Sequence, residues 1–400
     1  MKLKFYTRFL VILLAFVSCA EDGTLSETDT TDSPSSFSSE SGGGDPGTGS
    51  ESDGGTNEPD RSGIVTAGEW NDLDNWSFWQ NLLNQEIAER LTVNWKFNTA
   101  NRFSFKLMNA SNQPLVDAVI SIKEGTNIIW EARTDNRGTA ELWVDLKNTS
   151  NQVKAAENYV FYINDNPVAQ AIKPYSQGIN TIQIATNTTL SNQVDLSFIV
   201  DATGSMGDEM DFLKDDLKMV IQKVSNAIPN LQISTGTVFY RDEGDEYVVK
   251  KSDFTSNLQS TLSFINDQHA EGGGDFPEAV HSGLKTGINE LQWSSSARTR
   301  IAFLLLDAPP HNDTQIIDDI HTSVKRASAK GIKIIPIVAS GINKETEFLM
   351  RNLSISTNGT YVFITNDSGV GNDHLEPTVG EYEVELLQDL LIRLIKKYSL

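Results

Sequence analysis

Between Val194 and Met210 the chain reads VDLSFIVDATGSMGDEM. The first half is an apolar run rich in β-branched and aromatic residues: Val194, Leu196, Phe198, Ile199 and Val200. Its length and composition predict a strand buried on both faces of a parallel sheet. The run stops at Asp201, and Ala202, Thr203, Gly204, Ser205, Met206 and Gly207 follow before a long helical pattern. Loops at the carboxyl ends of such strands face the ligand crevice of an α/β sheet. A carboxylate, two hydroxyls and two glycines placed there therefore read as a site.

The rest of the second half sustains this pattern. Met210, Leu213, Leu217, Val220, Ile221 and Val224 form one stripe of a predicted helix over Asp208–Ile228. Further strands are predicted at Leu231–Tyr240, Glu246–Lys251, Ile301–Leu306, Ile332–Ala339 and Tyr361–Thr365. Helices are predicted at Leu258–His269, Thr314–Ala329, Glu345–Leu353 and Val384–Tyr398, with another opened by Pro277 after a glycine-rich loop, Glu271–Asp275. Strands alternating with helices predict a doubly wound, Rossmann-like α/β domain over 191–400, long enough to bury a full core.

Residues 63–190 read differently. Seven short runs alternate apolar and polar residues: Phe103–Leu107, Val119–Ile122, Ile128–Ala132, Thr139–Val144, Tyr159–Ile163, Val168–Ile172 and Ile179–Ile184. Turn residues separate them, which predicts an N-terminal β-sandwich. The stretch NASNQPLVDAVISI followed by WEARTDNRGTAELWV resembles carboxypeptidase-regulatory or transthyretin-like sandwiches. This resemblance implies a spacer or adaptor. Trp70, Trp76 and Trp79 fall close together ahead of it. They are expected on short helical turns that pack against the sandwich, an exposed aromatic strip being the alternative.

The 400-residue chain carries a net charge of −22, which excludes nucleic acid as a partner because that needs a basic face. The one cysteine, Cys19, rules out an intramolecular disulfide. It follows Lys2, Lys4, Arg8 and an apolar stretch, Phe9–Val17, that is too short to span a bilayer. Residues 1–19 resemble a bacterial lipoprotein signal, and the resemblance implies that Cys19 becomes the acylated first residue of the mature chain; an ordinary secretory signal is the alternative. Residues 20–62 are Ser, Gly, Thr, Asp and Glu with almost no apolar side chains, the composition of a disordered acidic linker. Glu21 and Asp22 either begin that linker or resemble a surface-export signal. The expected location is the cell envelope, anchored by lipid to the outer membrane, on its periplasmic or its outer face.

Three loops are expected to meet at the carboxyl edge of the α/β sheet. They carry Asp201, Thr203 and Ser205; Asp275; and Asp307. Carboxylate and hydroxyl oxygens suit a hard divalent ion. One carboxylate with two neutral hydroxyls would not saturate its charge, so an acidic group from a partner would be attracted. A helix N-cap would also account for Asp201 and Ser205, but would not require the other loops.

The segments FIVDATGSM, YRDEGDEY, GGGDFPEA and LLLDAPPH, in this order, resemble a von Willebrand factor A (vWA) domain with a metal-ion-dependent adhesion site. The resemblance covers about half the chain. It implies a D-x-S-x-S signature on Asp201, Thr203 and Ser205, a distal aspartate on Asp307, and a third element in the GGGDFPEA loop, where Asp275 stands. The implied cofactor is Mg²⁺, or Ca²⁺ or Mn²⁺ in its place. Asp242 reads as an ion-pair residue or as a group behind the site. His311 reads as a surface histidine or as a catalytic base.

The expected function is non-enzymatic: an exported, lipid-anchored protein that binds a protein ligand offering a carboxylate to the metal. The alternatives are a metal-dependent hydrolase on the same fold and a structural envelope protein stabilised by the ion.

Overall fold

The computed structural model describes residues 65–148, 156–186, 191–228, 230–369 and 373–400. The expected signal, Cys19 and the acidic linker lie outside the described residues. In chain order the elements are β1 (Thr66–Trp70), α1 (Trp76–Leu83), α2 (Glu86–Trp95), β2 (Arg102–Asn109), β3 (Val119–Glu124), β4 (Asn127–Arg133), β5 (Thr139–Trp143), β6 (Val160–Ile163), β7 (Asn166–Pro167) and β8 (Asn180–Ile184). They continue with β9 (Gln193–Asp201), α3 (Gly207–Ala227), β10 (Gln232–Tyr240), β11 (Val249–Thr255), α4 (Leu258–Asn266), α5 (Val280–Lys285), β12 (Thr299–Leu306) and α6 (Thr314–Lys330). The last are β13 (Ile332–Val338), α7 (Lys344–Ser356), β14 (Tyr361–Ile364), β15 (Glu385–Leu386) and α8 (Leu387–Ser399).

β9 is an interior strand of the large sheet, whose strand order is β11-β10-β9-β12-β13-β14-β1-β15. β10, β9, β12, β13 and β14 run parallel, and β11, β1 and β15 join antiparallel at the edges. Successive side chains of a strand point to opposite faces. Leu196, Phe198 and Val200 enter one core with Val220 and Val224 of α3 and Leu390, Leu391 and Leu394 of α8. Ile199 enters the other, with Leu284 of α5, Val324 of α6 and Leu353 of α7. Helices thus cover both faces of a mixed α/β sheet, and every apolar residue of β9 is buried. Each large side chain buried in this way contributes about 1.5–3 kcal/mol.

The N-terminal region is rich in strands. β5-β2-β8 form a three-stranded sheet and β4-β3-β6-β7 a four-stranded one. Phe103 and Phe105 of β2 meet Phe161 of β6 at ring distances of 5.1 and 5.8 Å, so the two sheets share a core. Against the large domain, Trp130 Nε1 of β4 donates to Ser328 Oγ of α6 at 3.0 Å.

Four local expectations are corrected. Thr66–Trp70 is a strand of the large sheet between β14 and β15, not a helical turn beside the sandwich. This segment of the 63–190 region thus pairs with strands of the 191–400 region. Its partners lie some 300 residues away in sequence, where no local pattern reaches. Val168–Ile172 forms no strand. Pro277 opens no helix: Glu278 N–H donates to Pro309 C=O at 2.9 Å and its backbone pairs with Pro310, so α5 begins only at Val280. The edge strand runs Val249–Thr255 rather than Glu246–Lys251.

Candidate metal-binding loops at the carboxyl edge of the sheet

β9 ends on Asp201, which is fully buried. The chain then folds back on this carboxylate. Thr203 N–H and Thr203 Oγ1 both donate to Asp201 Oδ1, at 3.0 and 2.7 Å. Such local bonding is what Asp does at a turn. Thr203 Oγ1 lies 3.3 Å from Ser205 Oγ, and Ser205 is exposed. β12 lies beside β9 in parallel register, Leu305 against Val200, so Asp307 just past β12 reaches the same edge.

The glycine-rich loop is tied down on two sides. Gly204 N–H donates to Gly272 C=O at 3.1 Å, and Glu271 N–H to Ala202 C=O at 3.0 Å. Asp245 Oδ2 accepts from the backbone N–H of Asp242 at 3.0 Å and of Gly273 at 2.9 Å. Gly273 has φ 75°, and a Cβ there would stand 2.9 Å from Glu278 Oε1 and 3.3 Å from Thr203 Cβ. Glycine therefore lets Glu278 come in beside Thr203. Behind the site, Gly283 of α5 lets the helix meet Tyr240, whose Cδ1 would be 2.5 Å from a Cβ at that position.

A cavity of about 520 Å³ opens over these loops, lined by Ser205, Asp275, Phe276, Glu278, Asp307 and Ser340 among others. Its walls are short of positive charge. Burial raises Asp201 above the usual carboxylate range, helped by the charge of Asp307 and opposed by the hydrogen bonds from Thr203. Burial likewise raises Asp307, with a hydrogen bond from Ser205 opposing and the charge of Glu209 adding. Glu278, 3% exposed, is pushed up to about 9 by burial and then by Asp201, Asp242, Asp307 and Asp245. Asp201 Oδ2, Asp307 Oδ1 and Glu278 Oε2 are buried without a hydrogen-bond partner. Such orphaned oxygens are costly unless a cation or water satisfies them. Carboxylate and hydroxyl oxygens of this kind suit a hard divalent ion.

The structure brings Asp201, Thr203, Ser205 and Asp307 together. Asp275 stands apart, exposed at the cavity's rim. Its carboxylate belongs to a group with Asp242 and His311 whose donor atoms all lie within 4.8 Å of one another. Within this group His311 Nε2 and Asp242 Oδ1 are 2.9 Å apart. The sequence reading missed Glu278, although it stands in the same GGGDFPEA motif as Asp275. It also missed Glu209 of α3, whose Oε1 accepts from Ser340 N–H at 2.8 Å and braces the far wall.

A mixed sheet covered by helices on both faces, with acidic and hydroxyl side chains gathered at the carboxyl edge of its parallel strands, makes this an α/β domain. Residues 195–372 match the von Willebrand factor A domain family, and the chain carries a vWA domain over that span. A segment of 128 residues, 32% of this chain, is 36% identical to an ariadne-like RING finger protein, R811, of Acanthamoeba polyphaga mimivirus, and covers 12% of it. A segment of 173 residues, 43% of this chain, is 25% identical to the alpha-protein kinase vwkA of Dictyostelium discoideum, and covers 27% of it. The chain thus spans only a minor part of the curated relatives it matches. Among solved structures, BatB of Bacteroides thetaiotaomicron aligns with 52% of this chain and 98% of its own, at 13% identity and a TM-score of 0.35. An aerotolerance-related membrane protein of Bacteroides fragilis aligns with 51% of this chain and 98% of its own, at 13% identity and a TM-score of 0.34.

Proposed function

We propose that the vWA domain is a binding module, not an enzyme, and that it captures a protein partner through a divalent cation held by Asp201, Thr203, Ser205 and Asp307. The observation that carries this reading is the set of buried, unpartnered carboxylate oxygens at this edge of the sheet: Asp201 Oδ2, and Asp307 Oδ1 and Glu278 Oε2 of two residues that line the open cavity. Mg²⁺ is the first choice of ion, with Ca²⁺ or Mn²⁺ as substitutes, because every donor is oxygen. Bound there, the ion would supply a fixed positive charge at the floor of an acidic cavity. A carboxylate from the partner is the complementary group. Phe276, 46% exposed on the cavity's rim, offers that partner an apolar contact.

Two histidines stand beside the cluster: His281 faces Glu243 at 3.7 Å and His311 faces Asp242 at 2.9 Å. Calorimetry with Mg²⁺ tests the assignment: the wild-type chain binds one ion that Asp201→Ala loses. Unchanged Mg²⁺ binding in Asp201→Ala would sink it. Capture of envelope proteins that depends on Mg²⁺ in the wild type, and fails in Asp201→Ala, tests the partner. Magnesium-dependent hydrolysis of generic phosphate or ester substrates would overturn the non-enzymatic assignment.

We place the protein at the cell envelope, exported and held in the outer membrane by lipid on Cys19. The support is the charged and apolar start of the sequence. Among the described residues no helix is long and apolar enough to cross a membrane. Metabolic labelling with a fatty acid should mark the wild type and leave Cys19→Ala unlabelled.

A further inference from the structure

We propose that Asp242, Asp275 and His311 form a second cation site, distinct from the Asp201 cluster, which selects a transition-type ion such as Zn²⁺ over Mg²⁺. The three residues come from three loops: the one after β10, the glycine-rich loop, and the one after β12. Their donor atoms lie within 4.8 Å of one another. His311 Nε2 and Asp242 Oδ1 are 2.9 Å apart. Two donors at adjacent positions on one ion, each about 2.1 Å from it, stand about 3 Å apart, so the pair already has the spacing of two ligands.

A hydrogen-bonded Asp–His pair beside an exposed aspartate would show the same distance. Two further features separate a site from such a pair. The loops are fixed before any ion arrives: Asp245 holds the backbone of Asp242 and Gly273, and Glu278 N–H holds Pro309 just ahead of His311. Glu278 also presents an unpartnered buried oxygen, Oε2, on the wall of the cavity that Asp275 lines. The charges of Asp201, Asp242, Asp307 and Asp245 all act on this carboxyl, so the cavity floor is acidic on every side. Water would complete the coordination that three side chains leave open.

The imidazole sets the preference. The Asp201 cluster offers oxygen alone and suits Mg²⁺, whereas an imidazole with carboxylates suits Zn²⁺, Co²⁺ or Mn²⁺. Two neighbouring sites with different ions would give the vWA domain a separate control over the rim that a partner meets.

The test is a calorimetric titration of the full chain with Zn²⁺ in excess Mg²⁺. The wild type should take up one Zn²⁺ per chain that Mg²⁺ does not displace. His311→Ala and Asp242→Asn should each weaken that uptake at least about tenfold, while Asp201→Ala retains it. With Co²⁺ in place of Zn²⁺, the visible absorption that reports nitrogen ligation should vanish in His311→Ala. Melting curves in EDTA show whether each variant folds, and His311→Gln serves if the alanine variant does not. No Zn²⁺ uptake over Mg²⁺, or uptake unchanged in both His311→Ala and Asp242→Asn, overturns the site. Loss of Zn²⁺ in Asp201→Ala as well overturns its independence. Loss of Mg²⁺ binding with Zn²⁺ binding intact in Asp201→Ala leaves both assignments standing.

Discussion

His321 of α6 is a titratable ring turned into a core residue. It is 8% exposed, stacks on Phe97 at 4.1 Å, and its Nε2 donates to Trp95 C=O at 3.0 Å. Burial holds its pKa at about 4 against an ordinary 6.5; the Trp95 bond opposes this, and Lys147 adds to it. Below pH 6.5 the unfolded chain protonates this ring and the folded chain does not. Stability therefore falls as pH drops from 6.5 to about 4, by about 3 kcal/mol at the acid end. Urea unfolding at pH 7 and pH 4.5 should show a smaller acid loss in His321→Gln than in the wild type. An equal loss in both would remove His321 as the cause. At this scale some residues are readable from sequence and others are not. Asp201 and Asp307 each follow an apolar strand, so a local pattern marks where they stand. Glu278 is hidden because its place depends on a backbone pairing with Pro310. The choice between Asp275 and Glu278 turns on side-chain direction, which spacing in an irregular loop does not fix. Gly273→Ala tests that packing. A Cβ would crowd Glu278 and Thr203 at φ 75°, so Mg²⁺ affinity should fall at least about tenfold, a shift of about 1.4 kcal/mol. Unchanged affinity by calorimetry would show that the loop accommodates it.

At the level of elements, α7 is the clearest case of a helix held by charge as well as by apolar contact. Arg351, with no exposed surface, donates to Asp72 through Nε at 2.9 Å and Nη2 at 2.6 Å. Glu347, one turn earlier, accepts from Thr378 N–H at 2.6 Å. Trp70 Nε1 adds a third bond to Asp72 at 3.0 Å. The network fastens the loop after β1 to α7. Arg351→Met keeps the volume and removes the charge, leaving Asp72 buried without its counter-ion. A loss of about 3–5 kcal/mol is expected from chemical denaturation. Asp72→Asn with Arg351→Met should recover part of it, because the uncompensated charge goes too. No recovery in the double variant would mean that packing, not charge, is what Arg351 supplies. The periodic elements of the vWA domain were legible in the sequence: α6 and α7 start and stop within a few residues of the predicted spans. Their apolar stripes are long and their caps conventional, with Asp313 and Asn343 accepting from the first turns. β1 was illegible for the opposite reason. Five residues with one charge carry too little pattern, and the strand exists because β14 and β15 offer it two edges.

At the scale of the whole molecule, the two regions share more than a linker. β1 contributes Ala67 to the core beneath α3 and α8, and Val65 just before it enters the same core. From the other side, Arg300 of β12 bonds Asp117 at 2.9 Å, and Arg133 of β4 bonds the same carboxylate at 3.1 Å. Lys333 of β13 reaches Asp135 at 3.4 Å, with both side chains buried. These contacts predict that residues 191–400 are not a self-sufficient domain. Trimmed to that span, the chain would lose the strand that separates β14 from β15 and would uncover a row of paired backbone groups. An exposed edge of this kind invites aggregation. It would also remove Asp135 and Asp117, the ion-pair partners of Lys333 and Arg300. Scanning calorimetry should show a single transition for residues 63–400. For residues 191–400 it should show aggregation or a midpoint lower by about 10 °C or more, since each kcal/mol lost moves a domain of this size by about 2–4 °C. Two separate transitions in the longer chain, with the second matched by residues 191–400 alone, would show instead that the regions fold independently and that β1 is an accessory edge. A single cooperative unit carries a further consequence for the cation sites. The loop after β12 hangs from a strand whose far end is braced by the N-terminal region through Asp117, and the neighbouring β13 is braced through Asp135. Mutations at that distant seam, such as Asp117→Ala, should then lower the melting temperature while leaving Mg²⁺ stoichiometry at one ion per folded chain.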